Sequence, residues 1–366
     1  MAIAYPEFRN TRCTRFRFRY SECRRCLDAC PHEAIVLADD GARLDEARCR
    51  NCGLCIPACH TGAWASASFK PIDLLRQAIK QPSFSVACAP SGLAADAIIP
   101  CLGALSAAFV AYLGKRRIPL TLLGSGHCSQ CEHGAKGASQ LAACLDAAAR
   151  LREAAQEPDK EWLEPQLSDA APRVGQTAAR PTPTARRQLF RRLLGRGVEA
   201  IAAPQSAAPP PAPDKAIRAG AYAGTEEREL LQIVCERKDG QPTLIEWHEA
   251  LPLMQLTLKP GCTNCEACFR ACPTGALQIV ENPGEWSLAV QVDRCVACEV
   301  CLEVCQPRVL DAEARFDARP EQPPRVLHSL VKQRCARCER FFVSATPQEH
   351  CPICADDEDA FAQIFG

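Results

Sequence analysis

An α+β chain built from several small modules is what this sequence predicts, on three observations. Its 26 cysteines fall mostly in close groups, and one grouping recurs in both halves of the 366 residues. Residues 71–150 alternate helix-like with strand-like segments. Residues 151–225 shift to Ala, Pro, Arg and Gln, which bury too little apolar surface to offset their ordering entropy.

Composition narrows the function classes. With 43 basic and 43 acidic residues the formal net charge is zero, so no global field attracts nucleic acid or anionic lipid. Close C-x2-C groups favour metal sites over disulfides. Thiolate ligands need a reducing compartment, and the first twenty residues carry no apolar signal core, so a cytoplasmic location is expected. The longest apolar run, Ile98 to Leu113, falls short of the roughly 20 residues a bilayer span needs. A buried helix is expected there instead.

Residues 1–70 form the first module. Cys49, Cys52, Cys55 and Cys59 are spaced C-x2-C-x2-C-x3-C, and Cys23, Cys26 and Cys30 precede them. Residues 226–310 repeat the pattern twice in full. Cys262, Cys265, Cys268 and Cys272 make one run, and Cys295, Cys298, Cys301 and Cys305 the other. Three thiolates on one tight loop grip three iron corners of a cube, while the fourth cysteine, opening a helix, reaches the other cube.

Both modules resemble the bacterial two-cluster ferredoxins, with all eight ligand positions matched in the second. The resemblance implies four [4Fe–4S] clusters. In the second module Cys262, Cys265, Cys268 and Cys305 would hold one, and Cys295, Cys298, Cys301 and Cys272 the other. In the first, Cys49, Cys52, Cys55 and Cys30 would hold one. The other has only Cys23, Cys26 and Cys59, because Tyr20 stands where the family has its first cysteine. Cys13 is the nearest substitute. From Arg15 to Tyr20, arginines alternate with Phe16, Phe18 and Tyr20, which predicts a strand with a basic face beside the clusters.

Residues 71–150 predict a small parallel α/β domain, and its cysteines sit at strand ends, where ligands gather. Cys88, Cys101, Cys128 and Cys131 are so placed. The arrangement is similar to the small iron–sulfur subunit of methyl-viologen-reducing hydrogenases, which implies a [2Fe–2S] cluster; zinc and inert buried thiols remain alternatives. His127 and His133 flank the last pair and are expected to be surface polar groups. Cys144 and Cys235 stand alone and are expected in the core.

Within the predicted disordered linker, 151–225, Leu189, Phe190, Leu193 and Leu194 lie among five arginines as a short basic amphipathic segment. Residues 311–366 close the chain with Cys335, Cys338, Cys351 and Cys354, which resemble a zinc ribbon; a single iron would take the same four thiolates.

The expected whole is thus two ferredoxin-like dicluster modules, a central α/β domain, a linker and a zinc-ribbon-like terminus. Its expected function is electron relay to a redox protein partner. Family members of this kind serve formate dehydrogenases and other molybdenum enzymes, hydrogenases and heterodisulfide-reductase-like complexes. Two other classes stay open: a redox enzyme with its own site in the central domain, and a metal-binding regulatory protein.

Overall fold

The computed structural model describes residues 5–66, 69–169 and 225–356. The expected amphipathic segment and most of the expected linker lie outside these residues.

The first module is a set of short elements tied together by its cysteine loops. Strand β1 (Glu7–Phe8) pairs antiparallel with β4 (Trp64–Ala65), closing the module end to end. Between them lie helical turn α1 (Thr14–Arg17), helix α2 (Arg25–Ala29), the hairpin β2 (Ile35–Ala38) and β3 (Gly41–Leu44), and helix α3 (Cys55–Ala58). The strand expected over Arg15–Tyr20 is therefore a helical turn. Arg17 N–H bonds the Cys13 carbonyl at 3.1 Å and Phe18 N–H bonds that of Thr14 at 2.7 Å. Among the described residues the segment has no neighbouring strand to pair with, so its backbone groups satisfy one another locally. Arg17 is buried rather than displayed on a basic face.

The central domain is a four-stranded parallel sheet with helices packed on it. Helix α4 (Pro71–Ala78) leads into β5 (Phe84–Cys88), buried at every position. Then follow β6 (Ala97–Ile99), helix α5 (Ala107–Lys115), β7 (Leu120–Leu123), the long helix α6 (Gly134–Ala155) and β8 (Gln166–Ser168), giving the sheet order β6-β5-β7-β8. The apolar run from Ile98 is not one helix. Pro100 cannot continue a hydrogen-bonded strand, and Ser106 caps α5 by accepting from Phe109 N–H at 3.3 Å, so strand, turn and helix succeed one another.

The domain also runs past residue 150. Leu151, Ala155 and Trp162 are buried in its core, and β8 supplies an edge strand, so residues 151–169 are structured and not linker. The polar stretch between Gln156 and Glu161 hid them from a composition reading.

Helix α7 (Glu226–Cys235) departs furthest from expectation. Thr225 caps it, and three glutamates in its first turn suit the positive end of the helix dipole. It packs against α5, with Leu231, Val234 and Cys235 in the same core as Phe109 and Leu113. Half-buried Lys115 donates its Nζ to the carbonyls of Ile233, Val234 and Glu236 at 3.0, 2.8 and 2.5 Å, closing the helix end. Arg228 reaches the other way, to the carbonyls of Val292 and Cys295 at 2.7 and 2.9 Å. This helix, from residues assigned by sequence to the second module, thus completes the core of the central domain and pins the second module to it.

The second module contains β9 (Leu244–Glu246), β10 (Leu256–Leu258), helix α8 (Ala267–Ala271), the hairpin β11 (Leu277–Asn282) and β12 (Glu285–Val290), and helix α9 (Val300–Glu303). The chain beyond 310 folds back onto it. Strand β13 (Leu310–Ala312) pairs with β10, and β14 (Arg315–Asp317) with β9. Strand β15 (Arg325–Arg334) pairs on one edge with β12 and on the other with β16 (Phe341–Ser344). The terminal region is therefore a continuation of the second module's sheet and not a separate body.

Candidate metal centres

The C-x2-C-x2-C loops owe their shape to residues held at positive φ between the cysteines. Asn51 and Gly53 in the first module, and Asn264, Glu266, Ala297 and Glu299 in the second, all adopt the left-handed region. Such a conformation is costly for Ala or Glu and persists only where the surroundings impose it. Its effect is to turn backbone N–H groups toward sulfur: Asn51 N–H lies 3.4 Å from Cys49 Sγ and Ala297 N–H 3.4 Å from Cys295 Sγ. Beyond the fourth cysteines, Ala34 and Ala63 N–H donate to Cys30 and Cys59, each at 3.3 Å.

In the first module two cavities result. Cys30, Cys49, Cys52 and Cys55 surround one. Cys13, Cys23, Cys26 and Cys59 surround the other, with Trp64 in its wall. Each draws its fourth cysteine from the other loop, carried there at the end of α2 or α3. Cys13 is brought in where Tyr20 is not: Tyr20 is 70% exposed. In the second module Cys272 is a close neighbour of Cys295, Cys298 and Cys301, while Cys262, Cys265 and Cys305 gather about Cys268.

In the central domain Cys88 ends β5, Cys101 follows β6 and Cys128 and Cys131 follow β7, so the four meet at the carboxyl edge of the sheet around one cavity. Gly124, at φ 96°, passes so close that a Cβ there would sit 3.2 Å from Cys88 Sγ. At the terminus the Sγ atoms of Cys335, Cys338, Cys351 and Cys354 all lie within 4.8 Å of one another, two of them on the turn between β15 and β16. The backbone N–H of Cys338 is the main cause holding the Cys335 thiol down to about 6. Cys144 and Cys235 are buried in the apolar core.

Burial pushes several thiols up: Cys26 and Cys101 to about 12, and Cys52, Cys268 and Cys295 to about 11. Four buried thiolates cannot coexist in a low-dielectric cavity without cations among them. A coordinated metal removes the proton outright and reverses that cost. The donors around the Cys13 cavity suit an anionic sulfide-rich group: Arg15 Nε is buried there with no hydrogen-bond partner, and the Trp64 indole faces the Cys26 thiol. The residues present fit an iron–sulfur group.

The cavities adjoin one another. Cys101 of the central site packs with Cys52 of the first module. The Cys55 thiol is raised partly by nearby Cys26, which belongs to the next cavity. Cys298 of the second module lines the Cys13 cavity itself, and Cys301 is raised partly by nearby Cys268. Five cysteine sites thus run in unbroken series from the central domain to Cys265, the one exposed cysteine among them.

Two histidine contacts lie at the joints of this series. His32 Nε2 and His133 Nδ1 are 3.1 Å apart between the central site and the first module, and with Cys52 they form a further group of metal-capable donors. His133 is buried, contrary to the surface role expected of it, because α6 packs against the first module there. His60 is buried between the two dicluster modules, and burial holds its ring down to about 3. The legible signal for all three was position, since each lies one or two residues after a cysteine.

The sequence profile of the 4Fe-4S dicluster domain family matches residues 21–63 and 261–309. One subunit of an ion-translocating oxidoreductase complex from Methanosarcina acetivorans is 29% identical over 51 residues, 14% of this chain and 18% of that protein. The match thus spans less than a fifth of the relative. No helix among the described residues is long and apolar enough to cross a membrane.

Proposed function

We propose that this chain is an electron-transfer protein in which four [4Fe–4S] clusters and a central [2Fe–2S] cluster stand in one relay serving a redox enzyme. The observation that carries this reading is Cys298, a residue of the second module that forms part of the wall of the first module's Cys13 cavity. Two dicluster units that merely shared a chain would have no reason to abut through their cysteines.

Iron–sulfur clusters supply one-electron chemistry when bound. The chain's own residues do the rest. The four cysteines around each dicluster cavity hold one cubane, Cys13 taking the place vacated at Tyr20. Cys88, Cys101, Cys128 and Cys131 hold the central cluster. Backbone N–H groups at Asn51 and Ala297 stabilise ligand sulfur, and the apolar walls around Leu54 and Trp64 exclude water. Cys335, Cys338, Cys351 and Cys354 hold zinc, which locks the β15–β16 turn and so braces the second module's sheet. That the matched relative belongs to an oxidoreductase complex agrees with a place in a larger redox assembly. Hydrogenases and molybdenum enzymes such as formate dehydrogenases are the partner classes we favour, in the cytoplasm.

Anaerobically purified protein is expected to carry about 16 iron atoms in the dicluster sites, about two more in the central site, and about one zinc. Elemental analysis with acid-labile sulfide checks this. Iron near half that value, with sulfide to match, would reduce the relay to a single working module.

A further inference from the structure

The joint between the two dicluster modules is made by side chains placed next to the cysteines. Arg25 precedes Cys26, His60 follows Cys59, and Glu299 follows Cys298. Arg25 pairs with Glu299 at 2.5 Å and donates to the Glu249 carbonyl at 3.0 Å. Its guanidinium also lies 3.5 Å from His60 Nε2, and His60 Nδ1 lies 3.2 Å from the carbonyl of Ala297, between Cys295 and Cys298. A second tie runs from Glu22 N–H to Glu303 Oε1 at 3.2 Å.

We propose that Arg25, His60 and Glu299 form the electron-transfer junction between the two modules, the ion pair fixing their register and the imidazole bridging them. This rests on the relay reading above. The ion pair is half exposed, with side chains 26% and 37% accessible, so it contributes little to stability. Its value lies in registry, the best-attested use of such pairs. The left-handed turn at Glu299 (φ 63°) that shapes the cysteine loop also aims this carboxylate at the first module.

His60 adds a hydrogen-bonded path between the modules beside the approach of Cys298 to the Cys13 cavity. Arg25 donates to Nε2, so Nδ1 carries the proton and donates to the Ala297 carbonyl. One electron crosses at a time. With iron–sulfur groups bound, Cys13, Cys23, Cys26 and Cys59 would hold one centre and Cys272, Cys295, Cys298 and Cys301 the other, and the one electron lost by either would be gained by the other. No proton accompanies it, because the imidazole keeps the same single proton throughout.

The test uses the iron-loaded full chain, partly reduced with dithionite, and the hyperfine-shifted cysteine β-proton lines in its NMR spectrum. Fast electron exchange averages the lines of every cluster it connects. In the unaltered protein, lines from both modules are expected to move together as reduction proceeds. His60→Leu and Glu299→Arg are expected to split them into two sets, each still averaged within its own module, which serves as the internal control. Adding Arg25→Glu to Glu299→Arg restores the opposite-charge pair and is expected to restore averaging across the joint. None of these residues supplies a sulfur ligand, so iron and sulfide should stay at the unaltered level. If His60→Leu loses iron, the two charge variants carry the test alone. Continued averaging across the modules in the fully loaded single variants would overturn the junction. Failure of the double variant to restore averaging would overturn the role of the ion pair. Two independent sets in the unaltered, fully loaded protein would instead overturn the relay reading itself.

Discussion

Cys13→Ser is expected to convert one of the four proposed cubanes to a three-iron form and leave the other three unchanged. Cys13 lines the same cavity as Cys23, Cys26 and Cys59, and its thiol is pushed up by burial, with Cys59 and Cys23 adding to the rise. The chain reaches this arrangement by folding residues 14–17 into a helical turn, which shortens the path between Cys13 and Cys23. Gly41 sits against the same spot, where a Cβ would meet the Phe8 ring at 3.0 Å and Cys13 Sγ at 3.8 Å. Serine keeps the size but is a poor ligand for iron, so one corner of the cube loses its hold. Electron paramagnetic resonance of the oxidised variant should show a new three-iron signal, and iron should fall by about one atom from a total of about 18. Tyr20→Phe should change neither quantity, because that side chain is open to solvent. If the unaltered protein already gives the three-iron signal and Cys13→Ser adds nothing, Cys13 is not a ligand.

Leu231→Ala is expected to cost about 2–5 kcal/mol, a large part of the roughly 5–15 kcal/mol that holds an ordinary domain together. Leu231 is fully buried on α7, in a core built for the most part from residues 69–162. The cavity left there cannot be filled by solvent-facing groups, because α5 and α6 close around it. Urea unfolding of the variant should show a lower midpoint with little change in slope. A loss under about 1 kcal/mol would mean that α7 does not complete the central core.

These outcomes bear on what the sequence could reveal. Spacing within a few residues suggested the cysteine groups, and in the first module Cys30 and Cys59 each line the cavity of the other loop. The parallel arrangement of the central sheet was legible from alternating segments, because helix and strand periods are local properties. The helical turn at Thr14–Arg17 was not, since alternation of arginine and aromatic side chains says nothing about whether a partner strand exists. Nor was the destination of α7. Its apolar stripe announces a buried face, but only the tertiary fold decides that the face belongs to α5. The joint at Arg25, His60 and Glu299 was equally hidden, because residues 274 apart in sequence leave no local trace of their pairing.

The solvent exposure of Cys265 gives the chain an order of decay. Oxidation of a cysteine ligand follows access, and in the series of five sites Cys265 is the most open to solvent, the others being half-buried or buried. Cys30, Cys52, Cys55, Cys295 and Cys301 are buried. In air, therefore, damage should enter at the far end of the second module and advance inward, so that bleaching proceeds in steps with a fast first phase. A chain so built is expected to lose the proposed centre at Cys262, Cys265, Cys268 and Cys305 first, and those nearer the joint between the modules later.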